Sequence, residues 1–262
     1  MKKFFYNIRK YYKYAIYSAK AELKSEVADS YLNWLWWIIE PLCFMLIYTF
    51  VFGVVFDNNE KYFASFVFLG LTAWDFFNRM INGSVKLIIN NRDLVTKVYI
   101  PKYILLLSKS FTYLFKMGIS LGIAIVLMIF QHVPFTWHML LCIPIFLVLY
   151  VLTFGVGLLL MHFGVTLNDL ANFTNIGLKM VFYLSGVFYN ISSKLSSNPQ
   201  LVFLLLRVNP IAFCMNELRK VFLNQQLPSF EGLGVWLLIG IMLCSLGIHV
   251  IHKNENSYAK VI

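Results

Sequence analysis

Three charged residues stand inside sequence apolar enough to cross a bilayer. Glu40 lies in YLNWLWWIIEPLCFMLIYTFVFGVVF (residues 31–56), and Asp75 and Arg79 lie in LTAWDFFNRMING. Ionised groups at that depth are costly, and chains keep them as ion pairs or as the lining of a polar path. Asp75 and Arg79 are four residues apart and share one helix face. At 1.5 Å per residue, Arg79 lies roughly 10 Å from the end of its apolar run near Lys86, and Glu40 roughly 12 Å from the start of its own. Opposite charges at matched depth on consecutive helices predict that Arg79 pairs with Glu40, Asp75 or both. Such a pair either fixes helix register or forms a polar patch beside a substrate path; spacing leaves both open. Pro41, beside Glu40, removes one helix hydrogen bond and is expected to loosen that turn.

No catalytic constellation accompanies these charges. There is no G-x-x-x-x-G-K-[ST] phosphate loop, so ATP hydrolysis is not expected of this chain alone, and there is no H-E-x-x-H. The five histidines are dispersed and predict no metal site. The four cysteines (Cys43, Cys142, Cys214, Cys244) lie in apolar segments without ligand spacing and read as small buried hydrophobes. A membrane-embedded lipid-linked sugar transferase would need clustered carboxylates or histidines, and acidic residues are sparse. An ion-coupled carrier would use Glu40, Asp75 and Arg79 as a relay, but no inverted repeat supports it.

The elements that must position these charges follow from composition. Of 262 residues, 60% are hydrophobic and 13% charged, where a soluble domain carries about a quarter charged. This is the composition of an all-α integral membrane protein. A span needs about 20 mostly apolar residues. Six candidates occur, at 31–56, 62–86, 103–130, 136–163, 173–190 and 233–252. The piece PQLVFLLLRVNPIAFCMNEL is also apolar, but Arg207, Asn209 and Pro210 interrupt it, which predicts a re-entrant or interfacial hairpin within 191–232. Residues 1–30 place Phe4, Ile8, Tyr11, Tyr12, Ala15 and Ile16 near helical spacing between lysines, as in a helix lying in the headgroup plane. Basic residues crowd the N-terminal segment and the stretch from Lys86 to Lys102. The positive-inside rule therefore puts the N-terminus in the cytoplasm, and six spans return the 253–262 tail to that side. Arg207, Arg219 and Lys220 then face outward. The net charge of +10 is explained by basic loops against an anionic leaflet, without nucleic acid.

Four stretches occur in a telling order: NWLWWIIEPLCFMLIYTFVFGVVF, FLGLTAWDFF, NNRDLVTKVYIPKYILLLS and NPIAFCMNELRKVFL. Together they resemble the transmembrane permease subunits of ABC type-2 exporters for O-antigen, capsule, related polysaccharides and wall teichoic acid, over nearly the whole chain. The resemblance implies one transmembrane domain, with a cytoplasmic interface helix, six spans and a re-entrant pair before the last. It implies a homodimer of this chain in the bacterial plasma (inner) membrane, with two copies of a separate ATPase subunit that bind ATP and Mg. The cargo would be a glycopolymer on a polyprenyl diphosphate lipid. Its diphosphate would meet Lys20, Lys24, Arg79 and Lys86. Its sugars would meet aromatic walls drawn from Trp34, Trp36, Trp37, Tyr48, Trp74, Phe76 and Phe77, with Glu40 and Asp75 along the path; the tryptophans of the first span serve equally as an interfacial belt. Asn91, Arg92, Asp93, Leu94, Lys97 and Tyr99 would dock on the ATPase, joined by Asn168 and Asp169. Arg207, Asn209, Pro210 and Arg219 would belong to an outer gate. A permease for a drug or another lipid is the alternative within the same family.

Overall fold

The apolar windows become helices in a computed structural model that describes residues 2–28, 31–56, 60–194, 197–255 and 257–258. The far end of the expected 253–262 tail, 259–262, lies outside the described residues, as do 29–30 and 195–196. All regular structure among the described residues is helical: α1 (Lys2–Val27), α2 (Trp36–Tyr48), α3 (Phe63–Val85), α4 (Leu87–Asn90), α5 (Arg92–Lys97), α6 (Lys102–Phe130), α7 (Cys142–Thr166), α8 (Leu170–Leu184), α9 (Ile191–Lys194), α10 (Pro199–Val208), α11 (Pro210–Phe222) and α12 (Phe230–Lys253).

Among the described residues, four runs are long and apolar enough to cross a membrane: Asn33–Val55, Lys102–Phe130, Trp137–Thr166 and Phe230–Lys253. The protein is a multi-pass membrane protein. The second expected span, α3, has 23 residues and carries Asp75 and Arg79; the fifth, α8, has only 15. The first run continues unbroken through Pro41 as α2 and relaxes later, into a π-helical stretch at Thr49–Val55. The loosened turn is thus eight residues past the proline that was expected to cause it.

Close approach of α7 and α12 rests on glycine. A Cβ on Gly155 would stand 2.8 Å from the Leu243 Cβ, and one on Gly247 would stand 2.6 Å from that of Leu158. Small residues at a helix crossing let dispersion act over more atoms, which matters where lipid gives no hydrophobic drive for helices to associate. The core between α3, α6, α7 and α11 holds Phe68, Phe76, Met80, Leu106, Leu149 and Met215.

Helix α1 lies along the first turns of α6 instead of standing apart. Ala15 and Ala19 are buried, the Ser108 hydroxyl donates to the Ala15 carbonyl at 3.1 Å, and Asn7 donates to the Tyr103 hydroxyl at 2.7 Å. Glu22 pairs with Lys109, and Glu26 with Lys116 at 2.6 Å. The opposite face of α1 exposes Tyr6, Tyr12 and Tyr17. The cysteines depart from expectation: Cys214 is buried, Cys142 and Cys244 partly so, and Cys43 is exposed, because α2 turns that face away from its neighbours.

Candidate functional site: an aromatic cavity with an ion triad

Arg79 pairs with both carboxylates. Its Nε bonds the Asp75 Oδ2 at 2.7 Å, and a terminal nitrogen stands 3.7 Å from the Glu40 Oε1. The first contact follows from helix spacing within α3, and the second joins α3 to α2. The Arg79 side chain is 30% exposed, and those of Asp75 and Glu40 are 42% and 50% exposed. Half-exposed carboxylates keep lone pairs free for hydroxyl or water donors.

These charges border a cavity of about 160 Å³ between α2, α3 and α8, with Ser120 of α6 at one side. Its wall is aromatic: Phe44 and Tyr48 from α2, Phe68 and Trp74 from α3, and Phe182 from α8. The rings brace one another. Trp74 meets Phe182 at 5.0 Å between centroids, Tyr48 meets Phe188 at 4.6 Å, and Phe52 stacks on Phe188 at 4.3 Å with the planes 2° apart. Ring faces beside charged hydrogen-bonding groups suit a ligand that is apolar on one face and hydroxylated on its rim.

The other residues named from sequence sort into distinct places. Phe77 packs on Trp74 at 5.8 Å, whereas Phe76 is buried toward Tyr150 of α7, away from the cavity. Trp34 and Trp36 are exposed at the start of the first span, and Trp37 packs edge-on against Phe115 of α6; none of the three lines the cavity. The four cations do not converge. Arg79 lies at the aromatic cavity, while Lys86 borders a separate cavity of about 420 Å³ with Ser18, Asn82, Asn91 and the Glu22–Lys109 pair. Lys20 and Lys24 are exposed on α1 and line neither. The four cations named for the diphosphate thus occupy two separate cavities and an exposed helix face.

At the end of the bundle where α1 lies, α5 presents Arg92, Asp93 and Lys97 outward, with Asp93 and Lys97 3.8 Å apart and Leu94 half-buried. Asn91 anchors this helix by donating to the Leu87 carbonyl at 2.8 Å, and Tyr99 beyond it is exposed. Asn168 and Asp169, in the turn from α7 to α8, are exposed as well.

At the other end, α10 and α11 meet at 99° across Asn209. The Asn209 side chain accepts from the backbone N–H groups of Ile211 and Ala212, capping α11, while Pro210 takes the first helical turn, where no donor is needed. Arg207 is exposed and lies over the Phe203 ring at 4.8 Å. Arg219, by contrast, is enclosed by protein. It is 7% exposed and donates to the carbonyls of Phe66 at 3.3 Å, Gly186 at 2.8 Å and Val187 at 2.7 Å, with its guanidinium 3.5 Å from the Phe66 ring centre. Its acceptors come from segments remote in sequence, so nothing local announced them. Lys220 pairs at 2.7 Å with Glu217, which is itself buried and accepts from the Ser229 N–H.

Sequence reading missed Phe44, Phe182, Phe188 and Ser120. Phe182 and Phe188 fall in an apolar window read as one undifferentiated span, and the amphipathic periodicity of residues 170–184 was the signal that could have oriented Phe182.

The ABC-2 type transporter family matches residues 16–223. The chain is 29% identical to the O-antigen export system permease protein RfbA of Myxococcus xanthus over 259 residues, covering 97% of this chain and 98% of that one. Two proteins of the same description from Klebsiella pneumoniae are 23% and 24% identical, each covering 98% of both chains. With a match across most of its length and an all-helical membrane architecture, the chain belongs to the ABC-2 type transporter family of membrane permeases.

Proposed function

We propose that this chain is the channel-forming subunit of an ATP-driven exporter that moves a cell-surface polysaccharide on a polyprenyl diphosphate lipid out across the bacterial plasma membrane. O-antigen is the class favoured by the named relatives, and teichoic acid has the same demands. The carrying observation is the cavity between α2, α3 and α8. Aromatic faces stack on the C–H faces of sugars of varied hydroxyl pattern, and Glu40, Asp75 and Arg79 offer acceptors and a donor to the hydroxyls and phosphates that pass. On this reading the α1 end is cytoplasmic and the α10–α11 hairpin is the outer gate. On the same reading six segments span, α3 and α8 among them, and the 185–190 turn and the hairpin complete the depth that the 15 residues of α8 leave. Of the first span, Asn33–Val55, only Met45 is buried within this chain, which supports a second copy of the chain facing it across the path. The exposed α5 segment and the Asn168–Asp169 turn supply docking points for two ATPase subunits.

The reading is tested by depleting the protein in its host and following lipid-linked polymer. Intermediate retained on the cytoplasmic side, with recovery on re-expression only beside an ATPase with an intact phosphate-loop lysine, is the expected result. Normal surface polymer after depletion would contradict it.

A further inference from the structure

Of the two stretches proposed to meet the ATPase, Asn91 to Tyr99 touches the segment after α12 through Tyr99, and the turn after α7 follows a helix that touches the same segment through His162. Beyond Lys253 the Asn254 side chain donates to the Val250 carbonyl at 2.9 Å, and the Ser257 N–H donates to the Asn254 carbonyl at 3.0 Å. This turn sends Glu255 and Tyr258 in different directions. Glu255 Oε2 lies 3.5 Å from the Tyr99 hydroxyl and 3.6 Å from His252 Nδ1. Tyr258 is 2% exposed; its hydroxyl lies 2.8 Å from His162 Nδ1, and the two rings meet edge-on at 5.9 Å. His162 stands one turn before the end of α7 at Thr166.

Two features mark these contacts as more than a frayed end. Glu255 Oε1 is buried without a hydrogen-bond partner among the described residues. Leaving a buried carboxylate oxygen unpaired is unfavourable, so the tail holds this group in place against its own solvation. Both phenols also stay protonated in the neutral range. The Glu255 charge raises the Tyr99 phenol above its usual value, and burial, with Glu255 second, pushes Tyr258 up to about 12.

We propose that the segment after α12 forms a brace in which Glu255 and Tyr258 are positioning residues. Through Tyr99 they hold the α5 segment, and through His162 they hold the end of α7, so that the two ATPase-docking stretches move as one body. The inference rests on the exporter reading above. It adds that force delivered at either stretch is shared by α6, α7 and α12 through the tail.

The experiment uses full-length chain reconstituted with its ATPase in vesicles, and reads ATPase co-purification, ATP hydrolysis and polymer exported per ATP. Tyr258→Ala with Glu255→Gln is expected to co-purify ATPase normally and to lower export per ATP by about fivefold or more. Tyr258→Phe, which keeps the ring contact and loses only the hydroxyl, is expected to fall by about twofold and still fold. Unchanged export per ATP in the double variant overturns the brace. So does a loss that merely tracks the amount of assembled complex, because a purely structural role leaves that ratio untouched. If the wild-type chain recruits no ATPase, the exporter reading itself fails and the brace falls with it, an outcome that the co-purification arm shows separately.

Discussion

Arg79 on α3 keeps 30% of its side chain exposed and holds two carboxylates that are themselves about half exposed. Arg219 on α11 is 7% exposed and spends its donors on three backbone carbonyls. Both residues are arginines among apolar helices, yet their surroundings assign them opposite work. Partners that are half exposed to water can be exchanged for a passing ligand at small cost, because exposed ion pairs contribute only about 0–1 kcal/mol. Carbonyls fixed in three separate segments cannot move with a ligand, and a buried cation that loses them has no solvent to turn to. The difference teaches that charge inside a membrane protein marks a functional site only when its partners are free to leave.

Arg219→Met is the sharpest way to break the comparison. It strips donors from the Phe66, Gly186 and Val187 carbonyls, and a loss of at least about 3 kcal/mol is expected, read as a large drop in melting temperature in detergent. Gly70→Ala acts on the same clasp, since a Cβ there would stand 2.7 Å from an Arg219 terminal nitrogen. Its expected cost is about 1–3 kcal/mol, with the fold retained. Arg79→Gln should do the reverse: stability changes by less than about 1 kcal/mol while export falls about tenfold, measured at equal amounts of assembled protein. Glu40→Gln, which keeps size and loses charge at a 3.7 Å contact, should lower export less and leave melting unchanged. Asp75→Asn is expected to cost about 0.5 kcal/mol, the ordinary worth of an i,i+4 pair. If Arg79→Gln unfolds the protein while Arg219→Met is tolerated, the assignment of roles is inverted.

Much of the fold was legible because the bilayer imposes a simple rule. Apolar runs at 31–56, 62–86, 103–130 and 136–163 end within a few residues of Asn33–Val55, Phe63–Val85, Lys102–Phe130 and Trp137–Thr166. Asn209 and Pro210 announced the hairpin break through local chemistry, an amide cap followed by a residue without a donor. Asp75 and Arg79 announced their pairing through helix spacing. Burial direction was not legible in the same way. A uniformly apolar helix in lipid has no polar face to say which side meets protein, so the sequence pointed to Phe76 and passed over Phe182. Arg219 escaped for a different reason: the Phe66 carbonyl lies 153 residues away, and no pattern in NPIAFCMNELRKVFL encodes it. The brace at Glu255 and Tyr258 was hidden because its partners, Tyr99 and His162, stand on other elements.

The most direct test of the account is to ask whether polymer passes the cavity. A photoreactive residue placed at Phe44, which lines the cavity, is compared with one at Leu147, which is exposed on α7 and does not. Vesicles holding permease, ATPase and labelled lipid-linked polymer are illuminated during ATP hydrolysis. The account predicts polymer adducts at position 44 that need ATP and an intact Arg79, with only lipid adducts at 147. Polymer adducts at 147 with none at 44 would contradict it.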